Sequence, residues 1–166
     1  YDTKSKMFFF TSDKETNLIT RKMEIDDNVI PSSNSIMANN LFKLGHYYEN
    51  KHDSTNAKAM LNNVKENSLK YGAGASNWLN LYANYAGNYY EIAIVGENAK
   101  EKLKEINHNY IPNKLIVGST EESNLPLLAY KYSKNQTTIF VCVDGACQLP
   151  VSEPKEAFKQ IKTSFK

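Results

Sequence analysis

The spacing of apolar residues changes near Tyr90, and this change limits the folds that the chain can adopt. Before Tyr90, apolar residues recur with helical periodicity in three successive blocks, the first of which begins after Pro31. After Tyr90, short β-branched runs such as "EIAIVG" and "KLIVGS" alternate with helical segments. The order predicts an α+β to α/β chain with a region 1–90 and a region 91–166.

Region 1–90 is expected to hold an arm and three helices. Two apolar segments surround a polar turn in "MFFFTSDKETNLITR", which indicates a β-hairpin or an irregular arm. The first predicted helix places four residues on one face, and the second runs from about 55 to 70 and ends at the glycines of "YGAGAS". That first face comprises Met37, Leu41, Leu44 and Tyr48. The third helix carries an aromatic stripe of Trp78, Tyr82, Tyr85 and Tyr89.

Region 91–166 reads as a small α/β lobe. A strand at "EIAIVG", a helix ended by Pro112 and a strand at "KLIVGS" form a β-α-β unit. A short helix over 125–132 and a third strand at "TTIFVCV" then predict a three-stranded parallel sheet. Ser152 and Pro154 open a last helix with four inward residues. These are Ala157, Phe158, Ile161 and Phe165.

Composition and charge exclude several classes of partner. The 166 residues are 41% hydrophobic, which fits one domain or two small lobes. Twenty Lys and Arg stand against 18 Asp and Glu without a basic block, so neither nucleic acid nor an anionic membrane is expected as a partner. The longest apolar runs are far shorter than the roughly 20 residues that span a bilayer. The chain begins at Tyr1 without a leader, so we expect a piece of a longer protein, in the cytoplasm by default.

Three carboxylates precede the first helix and admit two interpretations. Glu24, Asp26 and Asp27 stand shortly before Pro31. Paired carboxylates perform acid and base steps in glycosyl transfer and sugar epimerisation. Alternatively, Asp27 and the serines after Pro31 cap backbone N–H groups at the helix start, where negative charge is favourable.

The aromatic stripe and Gly96 are also open to a functional and a structural interpretation. Ring faces such as that of Trp78 stack on sugar C–H groups, whereas a stripe at helical period is more often core packing. Gly96 follows a strand as in nucleotide-binding folds, but it is a lone glycine. Glu97 then puts negative charge where a phosphate would sit, which argues against a dinucleotide. No cofactor is expected.

Cys142 and Cys147 lie in "CVDGAC", at the end of a strand and across a turn. Two cysteines cannot complete a tetrahedral zinc site, and the three histidines lack metal-ligand spacing, so no metal is expected. A local disulfide is sterically feasible but unusual in a reducing cytosol. Two buried or half-buried thiols are the expected state. A redox role for the pair remains an alternative.

Three motifs in this order resemble the end of the thioredoxin-domain-containing proteins related to spermatogenesis-associated protein 20. "RKMEIDDNVIPSSNSIMANNLFKL" is similar to the family's acidic, proline and serine-rich segment, followed by a leucine-rich helix. "YIPNKLIVG" looks like its strand entry, and "FVCVDGACQLPVSEPKEAFKQI" resembles its closing pattern with two cysteines. The chain departs from the family pattern at Asn28, Val29 and Ser33, which are small or turn-forming replacements.

The resemblance implies a larger architecture and a place for a site. It implies a thioredoxin-like domain, then a toroid of helical hairpins like that of six-hairpin glycosidases and acylglucosamine epimerases. This chain would supply the last toroid helices and a closing α/β lobe. On that basis Arg21, Glu24 and Asp27 are expected to line a polar cleft. Taken together, the catalytic candidates are Glu24, Asp26 and Asp27, and the binding candidates are Arg21, Ser32, Asn34, Trp78 and Tyr82.

These observations lead to one main hypothesis and two alternatives. The main hypothesis is the C-terminal region of a multidomain, carbohydrate-active protein that contributes part of a pocket for a sugar-like molecule and is inactive alone. The first alternative is a non-enzymatic module that docks other domains of its own full-length chain, and the second is a thiol redox module. Exposed apolar helix faces are expected, and with them a homodimer of the isolated chain.

Overall fold

The computed structural model describes residues 1–161, which divide into two compact units. Unit 1 comprises residues 1–45 and 50–83, and unit 2 comprises residues 46–49 together with the chain from 84 onward. Phe165, expected to point inward from the last helix, lies outside the described residues. Over residues 1–161, no helix combines the length and apolar character needed to cross a membrane.

Three helices dominate the first half of the chain, as the periodicity predicts. Helix α1 spans Ser33–Tyr47, α2 spans Lys51–Tyr71, and a 3-10 turn at Gly72–Ala75 leads into α3 at Ser76–Ala86. Helix α2 begins four residues before the expected start because the Asn50 side chain accepts hydrogen bonds from the backbone N–H groups of the first turn. It ends at Gly72, whose φ of 57° suits a residue without Cβ.

The packed face of α1 differs from the prediction. Its buried residues are Asn34, Ser35, Ala38, Phe42 and Gly45. Leu44 and Tyr48, which were expected to point inward, are exposed. The reason is close packing of small residues: a Cβ built on Gly45 would lie 3.0 Å from the backbone nitrogen of Ser54 in α2. A hydrophobicity pattern gives no weight to glycine, so it selected another face.

The arm is irregular, which is one of the two predicted forms, and the alternative β-hairpin, or β-arm, is wrong. Within residues 1–32 the structure holds an isolated bridge between Asp2 and Met7 but no strand. The backbone of Phe8 bonds to a side chain instead of a partner strand, because the Asn34 amide accepts from its N–H and donates to its carbonyl. The Asn34 side chain thus makes the two hydrogen bonds to Phe8 that a neighbouring strand would make in a sheet.

Unit 2 is built on a mixed four-stranded sheet with the order β2-β1-β3-β4. Its strands are β1 (Tyr90–Val95), β2 (Lys114–Ser119), β3 (Thr138–Val143) and β4 (Ala146–Cys147). Helix α4 (Ala99–Asn107) connects β1 to β2, and α5 (Pro154–Gln160) follows the sheet. The β-α-β unit is confirmed, since β1 and β2 pair in parallel.

The three-stranded parallel sheet is wrong, because β3 runs antiparallel to β1. The segment expected to be a helix over 125–132 forms successive turns at residues 126–130. Without a helical crossover to return the chain to the opposite end of the sheet, β3 begins beside the end of β1, with Thr138 paired to Val95. The two-residue β4 was not expected.

The two faces of the sheet carry separate cores. Tyr90, Ile92 and Ile94 pack with residues of α4 and α5 on one face. Ala93 and Val95 pack with Leu128 on the other. Because side chains alternate along a strand, Glu91 lies on the same face as Ala93.

Candidate functional site

Asp27 lies where two helices begin and holds them both. Its carboxylate accepts from the Ser32 backbone nitrogen at 3.0 Å and from the Ser35 hydroxyl at 2.6 Å, both at the start of α1. Its second oxygen accepts from the backbone nitrogen of Asn77, in the first turn of α3, at 2.9 Å. With 7% of its surface exposed, Asp27 acts as a shared helix cap.

These hydrogen bonds also keep Asp27 ionised. Burial alone would raise the pKa of Asp27, but the bonds from the Ser35 hydroxyl and from the backbone nitrogens of Ser32 and Asn77 outweigh it. The net result is a pKa below the ordinary value of 3.8. A carboxylate in this state is a poor general acid near neutral pH.

Ser32 and Asn34, expected in a binding cleft, bond to the protein instead. The Ser32 hydroxyl donates to the Ile25 carbonyl and accepts from the Ser35 backbone nitrogen, which is a helix N-cap. Asn34 has no exposed surface, and its amide links the backbone of Phe8 to the Glu24 carbonyl. Both side chains therefore hold the arm against α1.

The aromatic candidates do not form an open platform. Trp78 is 1% exposed and its indole nitrogen donates to the Ile25 carbonyl at 2.7 Å. Tyr82 is half-buried, with the Lys65 ammonium 5.1 Å from its ring centre. Helix α3 ends at Ala86, so Tyr89 lies beyond the helix that was expected to carry it.

The remaining candidates of the cleft are dispersed around the arm. The Arg21 guanidinium stacks on the Phe9 ring at 4.0 Å and donates to the Thr11 carbonyl. Glu24 and Asp26 are exposed, in contrast to Asp27. The structure thus brings Asp27, Ser32 and Trp78 to one buried segment of the arm, around Ile25, and leaves the other two carboxylates at the surface.

The two cysteines form a disulfide, so the expectation of two free thiols is wrong. Cys142 in β3 and Cys147 in β4 are directly paired across the hairpin, with S–S at 2.03 Å and their Cα atoms 3.8 Å apart. Asp144 and Gly145 make the turn with φ values of 52° and 78°, the left-handed pair typical of a two-residue hairpin. This turn brings the cysteines into register. Cys142 is buried and Cys147 is exposed.

A buried acid–base pair lies beside this disulfide. Glu91 is the register partner of Cys142, so the two side chains share one face of the sheet. One Glu91 oxygen is 2.6 Å from Nδ1 of His46, and the other accepts from the Gly145 backbone nitrogen at 3.0 Å. Glu91 is 4% exposed, so its carboxylate is held entirely by the protein.

Tyr89 completes this cluster. Its ring lies 4.9 Å from the His46 ring, centre to centre. Burial, with smaller contributions from Tyr47 and Glu91, raises the pKa of the Tyr89 hydroxyl to about 12. The hydroxyl therefore stays protonated near neutral pH.

Sequence reasoning found the cysteines but missed Glu91 and His46. One signal was present: "YEIAIV" places a single acidic residue in a strand that is otherwise apolar. A charged residue in a fully buried strand requires a partner. The partner could not be identified from spacing, because His46 lies 45 residues away.

Among residues 1–161, no group of three or more His, Cys, Asp or Glu side chains is arranged to hold a metal ion. A concavity of about 270 Å³ lies where α4 begins and β2 ends. Its lining residues are Ala99, Lys100, Leu103, Gly118, Ser119 and Thr120.

The fold and the clusters define a mixed α+β chain whose carboxylates are used in helix caps and beside a hairpin disulfide. Over most of its length, the chain is weakly homologous to spermatogenesis-associated protein 20. It is 25% identical to the human protein and 23% identical to the mouse protein over 178 residues, and 24% identical to the rat protein over 164. No family model and no solved structure matches the chain.

Most of this chain matches these relatives, but it matches only a small part of each of them. The matches include 91% to 95% of this chain, but the chain spans less than a quarter of each relative, namely 23% of the human, 22% of the mouse and 21% of the rat protein. The matches support the resemblance that the three sequence motifs indicate.

Proposed function

We propose that this chain is a docking part of a larger protein similar to spermatogenesis-associated protein 20, and that unit 1 binds the remainder of that protein. The observation that carries the proposal is a set of large apolar side chains exposed on unit 1. Val29 is 96% exposed and Ile30 is 73% exposed, in the loop before α1. Contiguous apolar patches, unlike single exposed apolar side chains, mark interaction sites.

Tyr71 extends this surface. It is 71% exposed at the end of α2. A Cβ built on Gly74 would lie 2.9 Å from the Tyr71 ring and 4.0 Å from the Asp27 carbonyl, so the ring and the loop that follows Asp27 are neighbours. We call Val29, Ile30 and Tyr71 the loop patch.

The loop patch would bind another region of the larger protein. That region corresponds to the part of the relatives that this chain does not match. The relatives are more than four times as long as the matched region, so most of their surface lies outside it. In the finer form of this proposal, α1, α2 and α3 are the last helices of an α/α toroid like that of six-hairpin glycosidases. The toroid, a thioredoxin-like domain and a carbohydrate-related role remain proposals by resemblance.

The capping contacts support docking over catalysis by this chain alone. Asp27 is already bonded to three donors in unit 1. Trp78 is buried and cannot stack on a sugar. The polar residues of the motif therefore shape the loop that presents Val29 and Ile30.

Binding in trans tests the proposal. The chain and the remaining region of a spermatogenesis-associated protein 20-like protein from the same organism are co-expressed and purified by a tag on one of them. We expect a stoichiometric complex with the unmodified chain. The Val29→Asp/Ile30→Asp variant should lose at least about tenfold in affinity, because it places two charges in a desolvated interface.

Leu149→Asp is the matched control, since Leu149 is 83% exposed but belongs to unit 2. It should bind as the unmodified chain does. Equal affinity for the loop-patch variant and the unmodified chain would exclude the loop patch as the docking surface.

A sugar site completed by the rest of the protein is a second candidate. The observation in its favour is that Glu24 and Asp26 are exposed beside the loop patch segment, and so are free to face a cleft that another region closes. Its test is ligand binding by the complex: Glu24→Gln and Asp26→Asn should each weaken binding of a monosaccharide without changing assembly. Unchanged sugar binding in both variants would remove this candidate.

A further inference from the structure

We infer that the Cys142–Cys147 hairpin is a thiol–disulfide exchange site, in which an incoming dithiol attacks Cys147 and the Glu91–His46 pair returns a proton to Cys142. The inference is independent of docking through unit 1. All four residues belong to unit 2. The register of β1, β3 and β4 brings Glu91, Cys142 and Cys147 together, and His46 joins them from the end of α1 through its contact with Glu91.

The disulfide closes a short loop, so it stabilises the fold less than a long-range crosslink would, and reversible opening is feasible. It closes a loop of only four intervening residues, and the entropic stabilisation from a crosslink grows with the length of the loop it closes. The hairpin has other supports: the Asp144–Gly145 turn, the bond from Gly145 to Glu91, and a bond from the Gln148 backbone nitrogen to the Val141 carbonyl at 2.9 Å. The strands therefore stay paired when the disulfide opens.

The two sulfurs differ in access, which sets the direction of attack. Cys147 is exposed on the two-residue edge strand β4, whereas Cys142 is 3% exposed in β3. Exchange requires a thiolate to approach the sulfur that it attacks. The incoming group therefore reaches Cys147, and Cys142 is the leaving sulfur.

The position of Glu91 decides what happens to that leaving sulfur. A thiolate on Cys142 would form in a buried site, where desolvation disfavours the charge even without a charged neighbour, and the Glu91 carboxylate would repel it further. Proton transfer from the hydrogen-bonded Glu91–His46 pair neutralises the thiolate and so removes both costs. The surrounding titratable groups are Tyr47 and Tyr89, near His46, and Asp144 in the turn.

The step balances with a dithiol as the reductant. A thiolate of the dithiol bonds to Cys147 Sγ, the S–S bond breaks, and its electron pair leaves with Cys142, which takes the proton from the pair. The second thiol of the dithiol loses its proton to water and attacks its own mixed disulfide, which releases Cys147 as a thiolate that water protonates. The dithiol is oxidised by two electrons to a disulfide, and the hairpin is reduced to two thiols, while water reprotonates the pair.

Single-cysteine variants test the direction of attack. Cys142→Ser leaves Cys147 as the only thiol, and Cys147→Ser leaves Cys142. With oxidised glutathione as the probe and mass spectrometry as the readout, Cys147 should form the mixed disulfide at least about ten times faster than Cys142. Equal rates, or a faster Cys142, would overturn the assigned direction.

The Glu91→Gln variant tests the proton-handling pair. Glutamine keeps an oxygen for the Gly145 nitrogen and an amide for His46, but it cannot release a proton. The rate of reduction by dithiothreitol is measured from pH 6 to pH 9 by alkylation of the native chain. At neutral pH we expect the variant to react at least about tenfold more slowly. Its rate should follow only the ionisation of dithiothreitol, whereas the unmodified chain departs from that curve.

Asp144→Asn is the matched control, because asparagine tolerates the left-handed turn and the change also removes one negative charge near the disulfide. It should keep the pH profile of the unmodified chain. A profile altered equally by both variants would show a general charge effect and overturn the role of the pair. A disulfide that dithiothreitol reduces only after the chain is unfolded would overturn the exchange site itself.

Discussion

Asp27 stabilises the fold with a charge that the protein keeps ionised. Asp27→Ala removes the acceptor for two backbone nitrogens and one hydroxyl. We expect a loss of about 1–2 kcal/mol in the free energy of unfolding at pH 7, measured in urea, as for other helix caps. Asp26→Ala, the exposed neighbour, should change it by less than about 0.5 kcal/mol.

The same variant should show a characteristic pH dependence. Folding lowers the pKa of Asp27, so the ionised carboxylate stabilises the folded chain above the ordinary value of 3.8. That contribution is lost as the pH falls through the lowered value in the folded state. The stability difference between the unmodified chain and Asp27→Ala should therefore shrink below pH 3.8. A difference that stays constant down to pH 2 would contradict the capping role of the charge.

Asn34 is a second residue whose side chain must match nearby backbone groups, because it both accepts and donates hydrogen bonds there. Asn34→Asp keeps an acceptor for the Phe8 nitrogen but removes the donor to the carbonyls of Phe8 and Glu24. Because the site is fully buried, we expect a loss of at least about 3 kcal/mol by urea unfolding. Asn40→Asp, on the exposed face of the same helix, is the control and should be nearly neutral. Comparable losses in both variants would show that Asn34 has no special role.

At the scale of elements, α1 and α2 approach closely through a glycine. Alanine in place of Gly45 would improve helix propensity by about 1 kcal/mol. However, its Cβ would lie 2.1 Å from the Ser54 hydroxyl oxygen and 3.0 Å from the Ser54 nitrogen. We expect the clash to prevail and Gly45→Ala to destabilise the chain by about 1–3 kcal/mol. Ser54→Ala in the same chain should recover part of that loss, and additive effects in the double variant would contradict direct contact.

The sequence predicts the positions of helices and strands better than it predicts how these elements pack against one another. Helices α1 to α4 and strands β1 to β3 each follow a local pattern of apolar residues and caps, which is why they could be predicted. The direction of β3 depends on whether residues 125–132 form a crossover helix, and the structure instead has turns there, with Tyr130 at a φ of 61° that a right-handed helix cannot hold. The packed face of α1 depends on Gly45, which carries no hydrophobic signal.

The candidate sites also differ in this respect: a site built from a local motif can be predicted, and a site built from distant residues cannot. The cap at Asp27 follows from a local motif, so one of the two interpretations of that segment already described the observed hydrogen bonds. The Glu91–His46 pair joins positions 45 residues apart, and only the fold brings them together. The disulfide follows from a two-residue turn that aligns two strands, and the turn residues Asp144 and Gly145 were its signal.

At the scale of the whole molecule, each compact unit is formed by two separate segments of the chain, so no single boundary in the sequence divides them. Unit 2 takes residues 46–49, which comprise the last two residues of α1 and the two that follow it, and among them His46 is the partner of Glu91. A piece that begins at residue 84 would thus bury the Glu91 carboxylate without its partner. Leaving one member of a buried pair uncompensated typically costs about 3–5 kcal/mol.

We therefore expect the piece 84–166 to be less stable than the full chain, and we expect a substitution at Glu91 to restore part of that stability. Its thermal midpoint, followed by circular dichroism at pH 7, should lie well below that of the full chain. Glu91→Gln should raise the midpoint of the piece, because it removes the charge that has lost its partner, yet it should lower the midpoint of the full chain, where His46 is present. This reversal of sign distinguishes a missing partner from general loss of packing. A piece that melts at the same temperature with glutamate and with glutamine would show that unit 2 does not depend on His46.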